Sequence, residues 1–579
     1  MRGMLRWAVA LVAAALVAEA GKLNPIIVRG NKMYDSKTGT RFFMRGITYD
    51  YDVSDDHYNE WSKVAITTAL APIMGSFNTL RIYNVNPDKT YDQFMEHMDS
   101  IGVYVLISAS PANVDYFGSY RYATITKSWG PDGAAVDGAL QKDQTKTCYP
   151  ALLLYFGKAI IKDFAKYDNT LGVLVANEIL QYDLTAAACV KAYVSDLKNW
   201  MRVNVQKMRI LPLAYAGADS APKASPDLTA AAKAYQPDQY TVLKIMGLLC
   251  GDTMVNGVMQ TSIDMYLVNE YRWCNDGTYA TYEIFQKMAQ GVPIVMGFGE
   301  TGCDTLRPRK WTNVPYLFSS STASKGFTDI FSGGYAYTFG SASLGSDTGY
   351  PLFTGGGKDI VSKPGTTPTA DFTNLVAMFK ANPSDVQKAT FTQSDVCSWT
   401  PPSPGTPVTP LAAASGWLTT CTNPALLIKP TDKWTTNTRQ GATCTKLGAT
   451  CEVTVSSKLG TSEEDICGKV LEVVSGGGTC TPGSNSCGKY GQCTASADGK
   501  SSSCVCLGCW SGLSCSVLDE SKCSQLSSDK DAPKYIFTGV GIFLGVMTLV
   551  FGGLGIVAGK KSQELKQAEK LAANQATSI

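Results

Sequence analysis

The chain has 579 residues, with 51 Lys plus Arg against 49 Asp plus Glu. That length calls for a large domain with its own core and something smaller beside it. The balanced charge excludes a global field that would attract nucleic acid or coat an anionic membrane, and it suits a neutral substrate.

Residues 1–20 carry an early Arg2, an apolar core around Ala8 to Val17 and the small-x-small ending Ala18, Glu19, Ala20, which reads as a cleaved secretory signal rather than an anchor. Short apolar runs then alternate with amphipathic stretches. The expected strands are Phe42–Asp50, Asn78–Asn84, Val103–Ser110, Leu171–Glu178, Leu211–Ala218, Ile263–Tyr271, Val292–Glu300 and Gly333–Phe339, with helices such as Tyr91–Ser100 and Ala186–Arg202 between them. Eight strands with intervening helices predict a (β/α)8 TIM barrel, over residues 21–397, rather than a doubly wound sheet. In such a barrel the C-terminal strand ends form the site, so Glu178 and Glu300, ending the fourth and seventh runs, face one mouth.

Beyond residue 397 the character changes. Residues 398–416 form a Pro/Thr/Ser-rich linker that cannot bury a core. Thirteen of the eighteen cysteines fall between Cys397 and Cys523, marking a cysteine-rich region at 417–525 and, in a secreted chain, disulfides. Within it Cys480, Cys487, Cys493, Cys504, Cys506 and Cys515 resemble the spacing of an epidermal-growth-factor-like module at 480–515, with Cys509 in excess and able to pair with Cys523. Residues 535–559 are apolar, uncharged and long enough to span a bilayer as one transmembrane helix. Lys560 and Lys561 follow, which places the tail 560–579 in the cytosol and makes the expected topology single-pass at the plasma membrane, with the catalytic domain outside.

Neither of the two histidines, His57 and His97, lies at an expected strand end, so histidine triads and His-rich metal sites find no support, and no phosphate-cradling glycine motif stands out. No metal, nucleotide or redox cofactor is implied. What remains is carboxylate chemistry: two Glu at one mouth can cleave a glycosidic bond, one protonating the leaving oxygen while the other attacks the anomeric carbon. Retention of configuration needs the two carboxyls about 5 to 5.5 Å apart. The alternative for either Glu is an N-cap or a surface carboxylate.

Several stretches carry a resemblance: GNKMYDSKTGTRFFMRGITY (Gly30 to Tyr49), NTLRIYNVNP (Asn78 to Pro87), ANEIL (Ala176 to Leu180), NEYRWC (Asn269 to Cys274), GETGC (Gly299 to Cys303) and DIFSGGYAYTF (Asp329 to Phe339). Together they resemble the glycoside hydrolase family 72 β-1,3-glucanosyltransferases. The resemblance implies Glu178 as acid/base, Asn177 on the sugar 2-hydroxyl and Glu300 as nucleophile. It further implies Arg81 and Tyr271 as groups that orient and ionise the nucleophile, and Tyr49, Tyr83 and Tyr337 as sugar platforms. It pairs Cys274 with Cys303, more loosely Cys250 with Cys397, and so leaves Cys148 for Cys189.

The implied activity is an internal cut in a β-1,3-glucan donor and transfer of the retained part to a β-1,3-glucan acceptor, elongating wall glucan. A plain endo-β-1,3-glucanase and a non-catalytic glucan-binding receptor are the alternatives. The chain departs from the family pattern at Arg272, where a Glu is expected, at Tyr337-Thr338-Phe339 in place of a YEY motif, and in having no cysteine before Cys148.

Overall fold

Eight parallel strands form a closed barrel: β1 Met44–Tyr49, β2 Thr79–Ile82, β3 Tyr104–Ser108, β4 Thr170–Asn177, β5 Leu213–Ala218, β6 Met265–Glu270, β7 Val295–Thr301 and β8 Phe331–Ala336. The computed structural model describes residues 23–111, 120, 125, 149, 151–182, 186–204, 207–219, 240–249, 253–255, 258–260, 263–289, 292, 294–320, 326–342, 349–384, 453–455, 491–495, 502–506, 510–511 and 517–518. Each strand pairs with its neighbour in chain order, and β8 closes on β1 through Gly333 opposite Met44 to Ala336 opposite Ile47. Strands covered on both faces read as continuous apolar runs, which is why all eight were visible in the sequence. Their ends differ from the expected ones: β7 begins at Val295 instead of Val292, and β8 runs from Phe331 to Ala336 instead of Gly333 to Phe339.

Helices α1 Glu60–Leu70, α2 Asp92–Ser100, α3 Ala151–Phe164, α4 Ala187–Val203, α5 Tyr240–Leu249 and α6 Tyr279–Ala289 follow β1 to β6, and α7 Ala370–Ala381 follows β8. Asn59 starts α1 by accepting the Ser62 N–H at 3.2 Å, satisfying one of the donors a helix leaves open at its first turn. Most of the apolar core lies between the barrel wall and these helices. A second cluster fills the barrel interior, where Met44, Leu106, Leu171, Leu174, Met265, Leu267 and Val295 meet Ile26, Met33 and Phe42 from a three-stranded antiparallel sheet that precedes β1. Because Met44, Met265 and Val295 begin their strands, that sheet closes the N-terminal end of the barrel and leaves the C-terminal end as the mouth.

The cysteine-rich region touches the barrel at one place among the described residues. Trp200 on α4 and Lys207 just after it donate to the Val453 and Val455 carbonyls at 3.2 and 3.0 Å, and the Val455 side chain is buried. Further on, Gly491–Ala495 pairs with Ser502–Cys506 and Trp510–Ser511 with Val517–Leu518, both antiparallel. No helix among the described residues is long and apolar enough to cross a membrane; the expected signal at 1–20, the linker at 398–416 and the expected span at 535–559 lie outside them.

Candidate active site

The mouth is built by strand irregularities as much as by strand ends. The β4–β5 register shifts between Leu174 and Ala176, just before Asn177, and the β6–β7 register shifts between Val268 and Asn269, which sets Asn269 opposite Glu300. Such bulges bend a strand and re-aim the side chains beyond them. Glu178 leaves β4 with φ at 57°, a left-handed conformation costly for a residue with a Cβ. Its N–H donates to the Ala216 carbonyl at 2.8 Å, and the N–H of Leu180 donates to the Tyr215 hydroxyl at 2.9 Å, so β5 holds the turn in place.

Arg81, fully buried on β2, sits under both carboxylates. It ion-pairs with Glu300 at 3.2 Å, donates to the Gly299 carbonyl at 2.7 Å and reaches Asn269 Oδ1 at 3.2 Å and Asn177 Oδ1 at 2.8 Å. Burial works against the Arg81 charge, but Tyr83 and Glu300 more than offset it, so its pKa is raised. Gly299 is needed for this approach: a Cβ there would lie 2.6 Å from Asn269 Oδ1 and 2.9 Å from Arg81 Nη1. Two tyrosine hydroxyls also donate to Glu300, Tyr83 at 2.8 Å and Tyr271 at 2.5 Å, one to each oxygen.

Glu178 has a different setting. Among the described residues its carboxylate accepts one hydrogen bond, from Asn269 Nδ2 at 2.7 Å. Burial first and the Glu300 charge second push its carboxyl up from 4.5 to about 7, against the pull of Asn269, Lys244 and Arg81. Two carboxylates in contrasting environments, one raised toward neutrality and one ion-paired, are how a single site holds an acid and a nucleophile at the same pH.

The aromatic residues divide. Tyr271, Tyr337 and Tyr350 form an edge-to-face trio with ring centres 5.3 to 5.9 Å apart, each partly exposed. Tyr83, expected as a platform, has its hydroxyl on Glu300 and its ring 4.6 Å from the Arg81 guanidinium. Tyr49 is only 2% exposed and packs against Tyr51 and Phe339, so it lies in the core beneath the mouth, and the platform role expected for it is withdrawn: its ring is already covered by protein.

Cys274 and Cys303 are joined, with Cα atoms 5.3 Å apart, which fastens the loop after β6 to the segment after Glu300. Cys189 is buried and disulfide-bonded; Cys148, Cys250 and Cys397 lie outside the described residues. Arg272, the departure from the expected Glu, ion-pairs with Asp219 at the end of β5. Among the described residues no cluster of His, Cys, Asp or Glu is placed to hold a metal ion.

Sequence reasoning missed Asn269, which touches Glu178, Asn177 and Arg81 at once. Its signal was present: like Asn177 it precedes a Glu at the end of an apolar run. Lys244 and Gln181, behind Glu178, carried no such signal.

A closed parallel barrel with glutamates from its fourth and seventh strands at one mouth defines the class of two-carboxylate barrel glycosidases. Within it, the family model described as glucanosyltransferase, glycoside hydrolase family 72, matches residues 15–117 and 132–345, more than half of the sequence, and the chain belongs to that family. Among curated relatives, 1,3-beta-glucanosyltransferase PGA4 of Candida albicans is 26% identical, over 64% of this chain and 70% of that protein. Protein EPD2 of Candida maltosa is 27% identical over 54% and 50%. 1,3-beta-glucanosyltransferase gel2 of Aspergillus fumigatus is 24% identical over 82% and 88%. The match thus spans half to seven-tenths of the first two relatives' length. Among solved structures, a mutant of Saccharomyces cerevisiae Gas2p in complex with laminaritetraose and laminaripentaose is 23% identical, covering 69% of this chain and 74% of that one, with a TM-score of 0.48.

Proposed function

We propose that the chain is a retaining β-1,3-glucan transglycosylase: it cuts a β-1,3-glucan internally and joins the retained part to another β-1,3-glucan chain, elongating it. The observation that carries this reading is the contrast between the two glutamates, Glu178 with its carboxyl at about 7 and Glu300 ion-paired to Arg81. Family membership and the names of the relatives support the substrate class.

In the first half-reaction the Glu178 carboxyl gives its proton to the glycosidic oxygen as a Glu300 oxygen attacks the anomeric carbon; the old C–O bond breaks and the reducing-end fragment departs. In the second, an acceptor hydroxyl attacks the same carbon, gives its proton to the Glu178 carboxylate and displaces Glu300. Arg81, Tyr83 and Tyr271 hold the attacking carboxylate in line, while Asn177 meets the sugar 2-hydroxyl and the buried Asn269 holds Asn177 and Glu178 in place. Tyr337 and Tyr350 offer ring faces to the apolar C–H face of a pyranose at the rim. An acceptor that binds well and keeps water out turns hydrolysis into transfer.

In the same reading the chain is secreted through residues 1–20 and held at the outer face of the plasma membrane by residues 535–559, with the barrel facing the wall. The Cys274–Cys303 disulfide supports an oxidising compartment. The two antiparallel strand pairs between residues 491 and 518 support a stapled module near 480–515.

The test is a product-length profile from the chain without its terminal apolar segments, given a reduced laminarin-type oligosaccharide, beside Glu178→Gln and Glu300→Gln. Products longer than the donor, lost in both variants, are expected. Shorter products alone would make it an endo-glucanase, and binding without turnover would make it a receptor. Wall remodelling that proceeds normally with a protein truncated before Lys534 would remove the membrane placement.

A further inference from the structure

Against the turn that carries Glu178 lies a buried lysine that the two half-reactions do not use. Lys244, fully buried on α5, donates through Nζ to Gln181 Oε1 at 2.7 Å and to the Ala218 carbonyl at 2.6 Å. Gln181 belongs to the four-residue helix Ile179–Tyr182 that follows Glu178, and its own N–H donates to the Glu178 carbonyl at 2.8 Å. Ala218 ends β5, two residues beyond the Ala216 carbonyl that receives the Glu178 N–H. One ammonium therefore ties the left-handed turn carrying Glu178 to the strand that supports it.

A buried ammonium is costly, and a neutral side chain could make the same ties more cheaply. Its charge is drawn on by the carboxylates of Glu178 and Asp219. Among the described residues the other ionisable groups facing Glu178 are Glu300 from β7, Arg81 from β2, Tyr215 from β5 and Tyr266 from β6, with Asp219 facing Lys244 itself. Arg81 is ion-paired to Glu300.

We propose that Lys244 is a positioning residue for the acid/base: it fixes the Glu178 turn and supplies the positive charge that lets Glu178 become a carboxylate once it has protonated the leaving group. This rests on the acid/base reading of Glu178. The charge matters in both half-reactions, because Glu178 becomes a carboxylate as it protonates the leaving group and accepts the acceptor's proton only in that ionised form. Burial already pulls the Lys244 amine down to about 8, so its charge is present through the neutral range and fades just above it.

The test compares Lys244→Met with Lys244→Arg, which keeps the charge. Removing an opposite charge that favours the ionised form raises a carboxyl, by about one pH unit at the low end of the usual range. In Lys244→Met the alkaline limb of the transfer rate is expected to move up by about one unit, with kcat down roughly tenfold near pH 6. In Lys244→Arg the limb stays in place.

A second readout needs no activity: the stability difference between the Glu178 protein and its Glu178→Gln variant, followed against pH, reports the Glu178 carboxyl directly. Its midpoint is expected to rise by the same amount when Lys244→Met is added. A lower rate with both midpoints unmoved would overturn the charge role and leave a structural prop. If Lys244→Met does not fold, Lys244→Gln, neutral but still a donor, takes its place. Absence of turnover in the unaltered protein would sink the transglycosylase reading, while the stability midpoint would still decide on Lys244.

Discussion

Two arginines on neighbouring strands, Arg45 of β1 and Arg81 of β2, are both buried, and they show how the two ends of one barrel differ. Arg45, near the closed end, donates to backbone carbonyls: Ser76 at 2.7 Å, and Phe379 and Asn382 at 2.6 and 2.9 Å at the C-terminal end of α7, where the helix presents unpaired acceptors and partial negative charge. Phe318 and Phe379 lie 4.1 and 4.7 Å from its guanidinium. Burial lowers its pKa to about 10. Arg81, near the mouth, meets a carboxylate and two amide oxygens that belong to the site, and its pKa is raised. The first is a clamp between barrel and closing helix. The second is an electrostatic floor for chemistry, and the difference lies in what each donates to.

The comparison breaks most sharply at the carboxylates above Arg81. Glu300→Gln and Glu178→Gln are expected to lower transfer at least a thousandfold while leaving the fold intact, as a product-length profile and a melting curve would show; activity retained by either would remove it from the reaction. Next, Arg81→Met is expected to cost roughly a hundredfold or more in kcat, whereas Arg45→Met should cost about 3 kcal/mol of stability and leave kcat within about twofold. Equal losses of activity from both would mean that the two ends are not separable.

The Cys274–Cys303 bridge closes a loop of 29 residues in sequence, so a double Ser variant should lose about 3 kcal/mol in denaturant melts and raise KM through a loosened rim. The smallest expected effect is on pH. The folded Glu178 carboxyl binds its proton more tightly than the unfolded one, at about 7 against 4.5, so stability declines as pH rises between those values and stays reduced above them. Glu178→Gln should then be more stable than the parent by ~1–2 kcal/mol above pH 7, after allowance for its partly open side, and equal to it near pH 4. The reverse trend would mean that the carboxyl is ionised at neutral pH.

Much of this molecule was legible before its structure. Eight apolar runs gave eight strands because parallel strands covered on both faces leave a continuous hydrophobic signature. Glu178 and Glu300 stood out because an ionisable group at the end of such a run has few structural excuses. The sequence could not separate Tyr49 from Tyr337: both are tyrosines at strand ends, and only packing decides that Tyr49 lies under Phe339 while Tyr337 stands at the rim. For Tyr83 the contact that sequence could not show is the hydroxyl on Glu300, made while the side chain stays partly exposed.

The chain's pattern by itself thus determined the barrel, the order of its strands and the end at which two carboxylates gather, because periodicity and burial are properties of local sequence. Tertiary structure alone decided which carboxyl is raised, since that depends on the burial of Glu178 and on the Glu300 charge beside it, set against the pull of Asn269, Lys244 and Arg81 from three other elements. Electrostatic energy falls with separation in space, and separation in space between residues 81, 178, 244, 269 and 300 is what folding supplies.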